Sequence, residues 1–356
     1  MRKAEANVSA FFNIPKWAYE LRDRGYLPEK VVIADPLSYC AGVVRADDGI
    51  EDMFKEYPEG FYLYHAPIHN DTKLKEWESR GAKLIHDLGG LRAIPEESPV
   101  YISAHGIGPD VWEVLRLKRT KGKDATCPLV EKTQREARDL VSRGYKVWVF
   151  GNENHDEMVG TLAIAPGNIF AVNPNISRRE IRKLLKDFEG QKLGVGSQTT
   201  LNQRDISGKI AYIKKLRPDV ELPKKEDICY ASQNRQDAVV AAIAKAGVEL
   251  MIIFGSDETK RQPSSNTIRL REVSSQNGAK RASVVEDVSE IKPDWFNDIS
   301  IVGVSAGASA DPKRVSEFLI CMREVGLRRQ QLQRITVAEE PQVFASVRDF
   351  DFSQAA

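Results

Sequence analysis

The chain has 356 residues, of which 42% are hydrophobic and 29% charged, a balance that predicts an ordinary globular protein of two or three domains and excludes a disordered or low-complexity one. Lys and Arg number 52 against 51 Asp and Glu, and a formal net charge of +1 gives no footing for a nucleic-acid or membrane-surface binder. No stretch approaches the ~18 apolar residues of a membrane span and the first residues lack a secretory apolar run, so the expectation is a cytoplasmic protein.

In chain order, residues 1–30 read as an added arm carrying a short amphipathic surface helix, IPKWAYELRDRG. Residues 31–126 read as a first α/β module: Cys40, a helix over AGVVRADDGIEDMFKEY, a strand FYLYH at 61–65, a loop with His69, and a later strand VYISAHG ending at His105. The basic run from Arg116 to Lys123 reads as a solvated helix end and loop.

Residues 127–226 repeat that order. Cys127 precedes a helix over PLVEKTQREARDLVSRG, then a strand YKVWVF at 145–150, a polar loop with His155 and Glu157, and a later strand KLGVGSQTT that ends at Gln198 and Thr199. Residues 227–326 do so again: Cys229, a helix over YASQNRQDAVVAAIAKAG, a strand VELMIIF at 248–254, a loop with Ser264, Ser265 and Asn266, and ISIVGVSAGAS with Ser305 and Ser309. Residues 327–356 read as a mostly irregular tail packed over the modules.

The three cysteines lie 87 and 102 residues apart, too far for a local zinc knuckle or CxxC motif, so they can meet only through the fold. His69, His155 and Ser264 follow their cysteines by 29, 28 and 35 residues, the last lengthened by the insert ETKRQP. His105, Thr199 and Ser309 follow by 65, 72 and 80. The expected fold class is α/β: three similar modules in a pseudo-threefold arrangement around a central cavity, with polar residues just after strands, where open α/β sheets bind ligands.

Three thiolates with no patterned fourth can hold a [4Fe–4S] cluster and leave one iron open, and tetrahedral zinc with three cysteines and a histidine competes with that reading. Cys321, in the apolar stripe of SEFLICMREVG, reads as an inert buried residue. His69, His105, His155, Ser264, Ser265, Asn266 and Ser309 supply donors suited to phosphate oxygens, and without a GxxxxGK[ST] motif a small diphosphate fits better than a nucleotide. Glu157 could protonate an iron-bound hydroxyl; the plainer alternative is a glutamate favoured by a helix N-terminus.

The stretches CAGVVRA (40–46), IHN (68–70), SAHG (103–106), DATCPLV (124–130), HDEMVGT (155–161), SQTTL (197–201), DICYASQNRQ (227–236), SSN (264–266) and VSAGAS (304–309) occur in the order in which they resemble the 4-hydroxy-3-methylbut-2-enyl diphosphate reductase, or LytB, family. With EEPQVF in the tail, the resemblance spans about residues 31–348. It implies a cluster held by Cys40, Cys127 and Cys229, a diphosphate held by His69, His105, His155, Ser264, Ser265, Asn266 and Ser309, and proton delivery by Glu157 and Thr199. It also implies electrons from a small ferredoxin or flavodoxin.

Departures from the family pattern are Leu37, Ser38 and Tyr39 before the first cysteine, Val44 for an aspartate, Asp156 for a proline, Ser197 for a threonine, Ile268 for an asparagine, and the ETKRQP insert. Two other classes compete with the reductase: a non-enzymatic iron–sulfur sensor of a diphosphate or of redox state, and a zinc-bearing structural protein. Retention of Glu157 and Thr199 favours catalysis, since a sensor has no use for a proton donor.

Overall fold

The computed structural model describes residues 13–223, 227–340 and 344–353. Residues 1–12 of the expected arm, 224–226 in the second module, and 341–343 and 354–356 of the tail lie outside the described residues. In chain order the elements run α1 (Lys16–Asp23), β1 (Lys30–Asp35), α2 (Ala41–Glu56), β2 (Phe61–Tyr64), α3 (Asp71–Ser79), β3 (Ala82–Ile85), α4 (Leu88–Ala93), β4 (Pro99–Ile102), α5 (Pro109–Leu117) and β5 (Lys121–Asp124). The second stretch runs α6 (Pro128–Ser142), β6 (Lys146–Phe150), α7 (Asp156–Leu162), β7 (Ile169–Val172), α8 (Arg178–Asp187), β8 (Leu193–Ser197) and α9 (Gln203–Leu216). The third runs α10 (Tyr230–Ala246), β9 (Leu250–Phe254), α11 (Ser265–Gln276), β10 (Arg281–Val285), β11 (Ile301–Ala306) and α12 (Pro312–Glu324), followed by β12 (Leu332–Thr336) and β13 (Arg348–Asp351).

The fold is α/β, and the helix and strand expected after each of the three cysteines are present. The described residues form two compact units. One comprises residues up to Ala41, His69–Asp71 and 230–340; the other comprises 42–68, 72–223, 227–229 and 344–353.

The first unit is built on one parallel sheet in the order β10-β9-β11-β1-β12. Its inner strands are buried on both faces, which is why KVVIAD and LMIIF are nearly unbroken apolar runs. Alternate residues serve opposite cores: Val31, Ile33, Leu250, Ile252 and Phe254 face one, with Phe318 and Met322 of α12. Val32, Ala34, Met251 and Ile253 face the other, with Ala238, Val239 and Ala242 of α10 and Leu270 of α11.

The second unit has two sheets. One, β13-β5-β4-β2-β3, is parallel except for its antiparallel edge β13; the other, β7-β6-β8, is parallel. Gly122 makes the β4/β5 pairing possible: at φ +151 its backbone comes so close that a Cβ there would sit 1.8 Å from the Val100 carbonyl oxygen.

Three expectations change. Strand β1, assigned by position to the first module at 31–126, pairs instead with β11 of the third and β12 of the tail, because a short strand buried on both faces joins whichever sheet offers two parallel neighbours. The tail is more regular than expected, since β12 and β13 each complete a sheet edge with little apolar signal of their own. Helix α1 is no surface arm: Trp17, 5% exposed, stacks between Phe296 and Phe318 and donates its indole N–H to the Val288 carbonyl at 2.7 Å.

Candidate functional site

The sequence-derived site residues gather at the N-terminal ends of helices, in two groups, one in each unit. Parallel strands leave their helices starting on one edge, so the turn after each strand carries a side chain towards a helix N-terminus.

In the first unit, Cys40 immediately precedes α2 and its backbone N–H donates to the Ala308 carbonyl at 3.1 Å, tying the cysteine turn to the Ser309 turn. The Ser309 hydroxyl donates to the His69 carbonyl at 2.9 Å, and Asn70 Nδ2 donates back to the Ser309 carbonyl at 2.9 Å. Ser264 caps α11, accepting from the Thr267 N–H at 3.3 Å, and Ser265 is the first residue of that helix. Asn266 Oδ1 accepts from the Ala308 N–H at 2.9 Å, which fixes the amide with Nδ2 as its remaining donor.

That Nδ2 and the Ser305 hydroxyl are buried with no hydrogen-bond partner among the described residues. Orphaned buried polar groups are costly, and an anionic ligand would satisfy them. Gly307 brings the two turns together, since a Cβ at that position would lie 2.1 Å from Thr267 Oγ1.

In the second unit, Cys127 is the N-cap of α6, and its N–H donates to the Ala104 carbonyl beside His105 at 3.0 Å. Cys229 immediately precedes α10, with its N–H donating to the Thr199 carbonyl at 2.7 Å. His105 and His155 meet edge to face with ring centroids 5.5 Å apart. His155 caps α7: its Nδ1 accepts from the Glu157 N–H at 3.2 Å, which leaves the proton on Nε2 and makes that nitrogen a donor.

Glu157 is 2% exposed. The Thr199 N–H donates to its Oε1 at 2.8 Å, and the Thr199 hydroxyl lies 2.8 Å from its Oε2. Burial pushes its carboxyl up to about 7, against the lowering effect of the two Thr199 contacts and with a further upward push from Asp227. The sequence pointed to Glu157 and Thr199 separately; the structure makes them one hydrogen-bonded pair across 42 positions.

The cysteines differ in burial. Cys40, Cys127 and Cys229 are partly exposed and in no disulfide, whereas Cys321 is fully buried in α12, where burial pushes its thiol up to about 12. Among the described residues no three His, Cys, Asp or Glu side chains form a group that could hold a single metal ion. Three thiols that each head a helix do suit a cluster, because a cubane takes each cysteine on a separate iron.

Several residues escaped the sequence reading. Asp227 accepts from the Ser197 N–H at 2.9 Å and from Lys132 Nζ at 2.8 Å, linking the approach to Cys229 with the Thr199 turn and with α6. Arg235, 1% exposed, donates to the Ser38 carbonyl at 2.6 Å and pairs with Glu340 at 3.0 Å, bracing the approach to Cys40. Asp227 and Arg235 both stand inside DICYASQNRQ, but nothing local marks which polar residues of that block turn inward. Among the described residues no helix is long and apolar enough to cross a membrane.

A thiol-bearing helix start tied through Thr199 to a buried acid whose carboxyl is raised to about 7 suits the site of an α/β oxidoreductase. The chain belongs to the LytB protein family, whose model matches residues 31–323. A 4-hydroxy-3-methylbut-2-enyl diphosphate reductase of Acidothermus cellulolyticus is 37% identical over 322 residues, covering 90% of this chain and 89% of the relative. One from Rhodopirellula baltica is 33% identical over 298 residues, covering 83% and 88%. Among solved structures, the E-1-hydroxy-2-methyl-but-2-enyl-4-diphosphate reductase of Plasmodium falciparum matches with a TM-score of 0.79 at 28% identity, over 90% of this chain and 96% of that one.

Proposed function

We propose that the protein is a reductive dehydroxylase that converts (E)-4-hydroxy-3-methylbut-2-enyl diphosphate to isopentenyl and dimethylallyl diphosphate. The observation that carries the reading is the buried Glu157–Thr199 pair, held against the Cys229 turn by the hydrogen bond from the Cys229 N–H to the Thr199 carbonyl. Relatives named as this reductase, matched over nearly the whole chain, support it over a sensor.

Cys40, Cys127 and Cys229 would hold a [4Fe–4S] cluster, which when bound supplies electrons and an open coordination position for the allylic hydroxyl. Overall, two electrons and two protons replace the C–O bond by C–H and release water. Glu157 holds a proton at Oε2 below about pH 7 while Oε1 is occupied by the Thr199 N–H. The Thr199 hydroxyl, 2.8 Å away, can accept that proton and pass its own towards the departing oxygen. Burial excludes water that would otherwise dissipate the proton.

The family resemblance assigns the diphosphate to His69, His105, His155, Ser264, Ser265, Asn266 and Ser309. Electrons would come from a ferredoxin or flavodoxin, in the reducing cytoplasm that exposed cluster thiolates need. An anaerobic assay of the fully reconstituted protein with this substrate and a chemical reductant tests the reading, and absence of turnover would sink it.

Asn266 gives a separate check. Asn266→Asp keeps the acceptor for the Ala308 N–H but replaces the orphaned donor with negative charge. KM should rise by more than about tenfold. An unaltered KM would remove Asn266 from the diphosphate site.

A further inference from the structure

Asp156 lies between His155 and Glu157, and the structure gives its carboxylate a definite place. Its Oδ1 lies 2.8 Å from His65 Nδ1, though out of hydrogen-bond alignment, and its Oδ2 lies 3.8 Å from His105 Nδ1. The three groups come from the end of β2, the turn after β4 and the first residue of α7.

His65 is held there at a cost. Its φ of +61 is in the left-handed region, which a non-glycine residue keeps only when its surroundings dictate it. Its N–H donates to the Ile85 carbonyl at 2.9 Å, and its ring stacks on Tyr64 at a centroid distance of 4.5 Å. The strained backbone turns a buried imidazole, 8% exposed, towards one carboxylate.

We propose that Asp156 is a positioning residue for diphosphate binding: its carboxylate draws the Nδ1 side of His65 and His105 and stabilises the doubly protonated, donor form of His105 when a phosphate group arrives. This rests on the diphosphate reading above. Without ligand, burial holds His105 down to about 4, with Asp156 opposing that and the neighbouring His155 and His65 adding to it. The Ser103 hydroxyl lies 3.4 Å from His105 Nδ1 on the same side. A neutral His105 with its proton on Nδ1, facing Asp156, offers Nε2 only as an acceptor, which repels a phosphate oxygen. Taking up a second proton turns Nε2 into a donor, and Asp156 offsets the burial of that charge. Diphosphate binding should therefore draw a proton from solvent, and more so with Asp156 present.

The test uses inorganic pyrophosphate and the anaerobically reconstituted holoprotein, comparing wild type with Asp156→Asn and Asp156→Pro. Proline suits the first position of a helix, so the second variant removes the carboxylate without disturbing α7. Calorimetry in buffers of differing ionisation heat gives both the Kd and the protons taken up per pyrophosphate. Both variants should bind about tenfold or more weakly, with smaller proton uptake, and turnover should show a raised KM with kcat little changed. Equal affinity and equal proton uptake in all three proteins would overturn the role of Asp156 while leaving the diphosphate site intact. A wild type that fails to bind pyrophosphate would instead remove the diphosphate reading and this inference with it.

Discussion

Glu157→Gln is expected to lower kcat by about 10²- to 10⁴-fold, the usual contribution of a positioned proton donor, with KM nearly unchanged. The substitution is close to isosteric. Gln keeps an oxygen for the Thr199 N–H, 2.8 Å from Oε1 in the native protein, and an amide that can still donate to the Thr199 hydroxyl. What it lacks is a transferable proton. Iron content and visible absorbance should match wild type, which separates loss of proton delivery from loss of the cluster. A mutant that turns over at the wild-type rate would remove Glu157 from the mechanism without touching the proposed substrate.

The wild-type pH profile follows from the same residue. A donor with its carboxyl near 7 is protonated below that value and progressively lost above it, so kcat should fall on the alkaline side of about pH 7, and Glu157→Gln should lack that limb. The stability consequence has the opposite sense to that of a salt-bridged carboxylate. A carboxyl raised on folding binds more protons folded than unfolded, so its contribution to stability declines as pH rises from the ordinary glutamate range to about 7. Glu157→Gln should therefore flatten the stability curve across that window, as measured by denaturant unfolding.

The other large effect is expected at the cysteines. Cys229→Ala or Cys127→Ala should yield protein that folds but loses the visible absorbance and most of the iron after reconstitution, with turnover abolished, because each thiolate removed leaves one iron without its protein ligand. Both side chains are partly exposed at helix starts, so truncation there leaves the apolar cores intact. Cys321→Ser is the control. Cluster content and activity should be unchanged, while placing a hydroxyl in the apolar surroundings of α12 should cost about 1–3 kcal/mol of stability. Retention of a full cluster by Cys127→Ala or Cys229→Ala would overturn the ligand assignment.

Local physics accounts for what the sequence determined. Helices over Ala41–Glu56, Pro128–Ser142 and Tyr230–Ala246, and strands at Phe61–Tyr64, Lys146–Phe150 and Leu250–Phe254, follow from periodicity and breaker residues within some twenty positions. Where those elements begin also fixes which thiols, histidines and serines stand at strand ends and helix starts. For that reason the turns that carry the three cysteines and most of the polar candidates were legible in the sequence.

Only the tertiary structure could decide how distant segments pair. β1 contains no signal choosing between the strands nearest in sequence and β11 and β12, since an all-apolar parallel strand fits either sheet, and burial against α10 and α12 made the choice. The exposed-looking edges β12 and β13 gain order from a neighbouring strand rather than from their own residues. The same holds for the chemistry. A glutamate becomes a proton store near neutrality only when packing strips its water and delivers Thr199 across 42 positions. Asp156 acquires its role only when the fold brings it to His65 across 91 residues, and contacts of that range arise from how side chains fill a core, which no local pattern records.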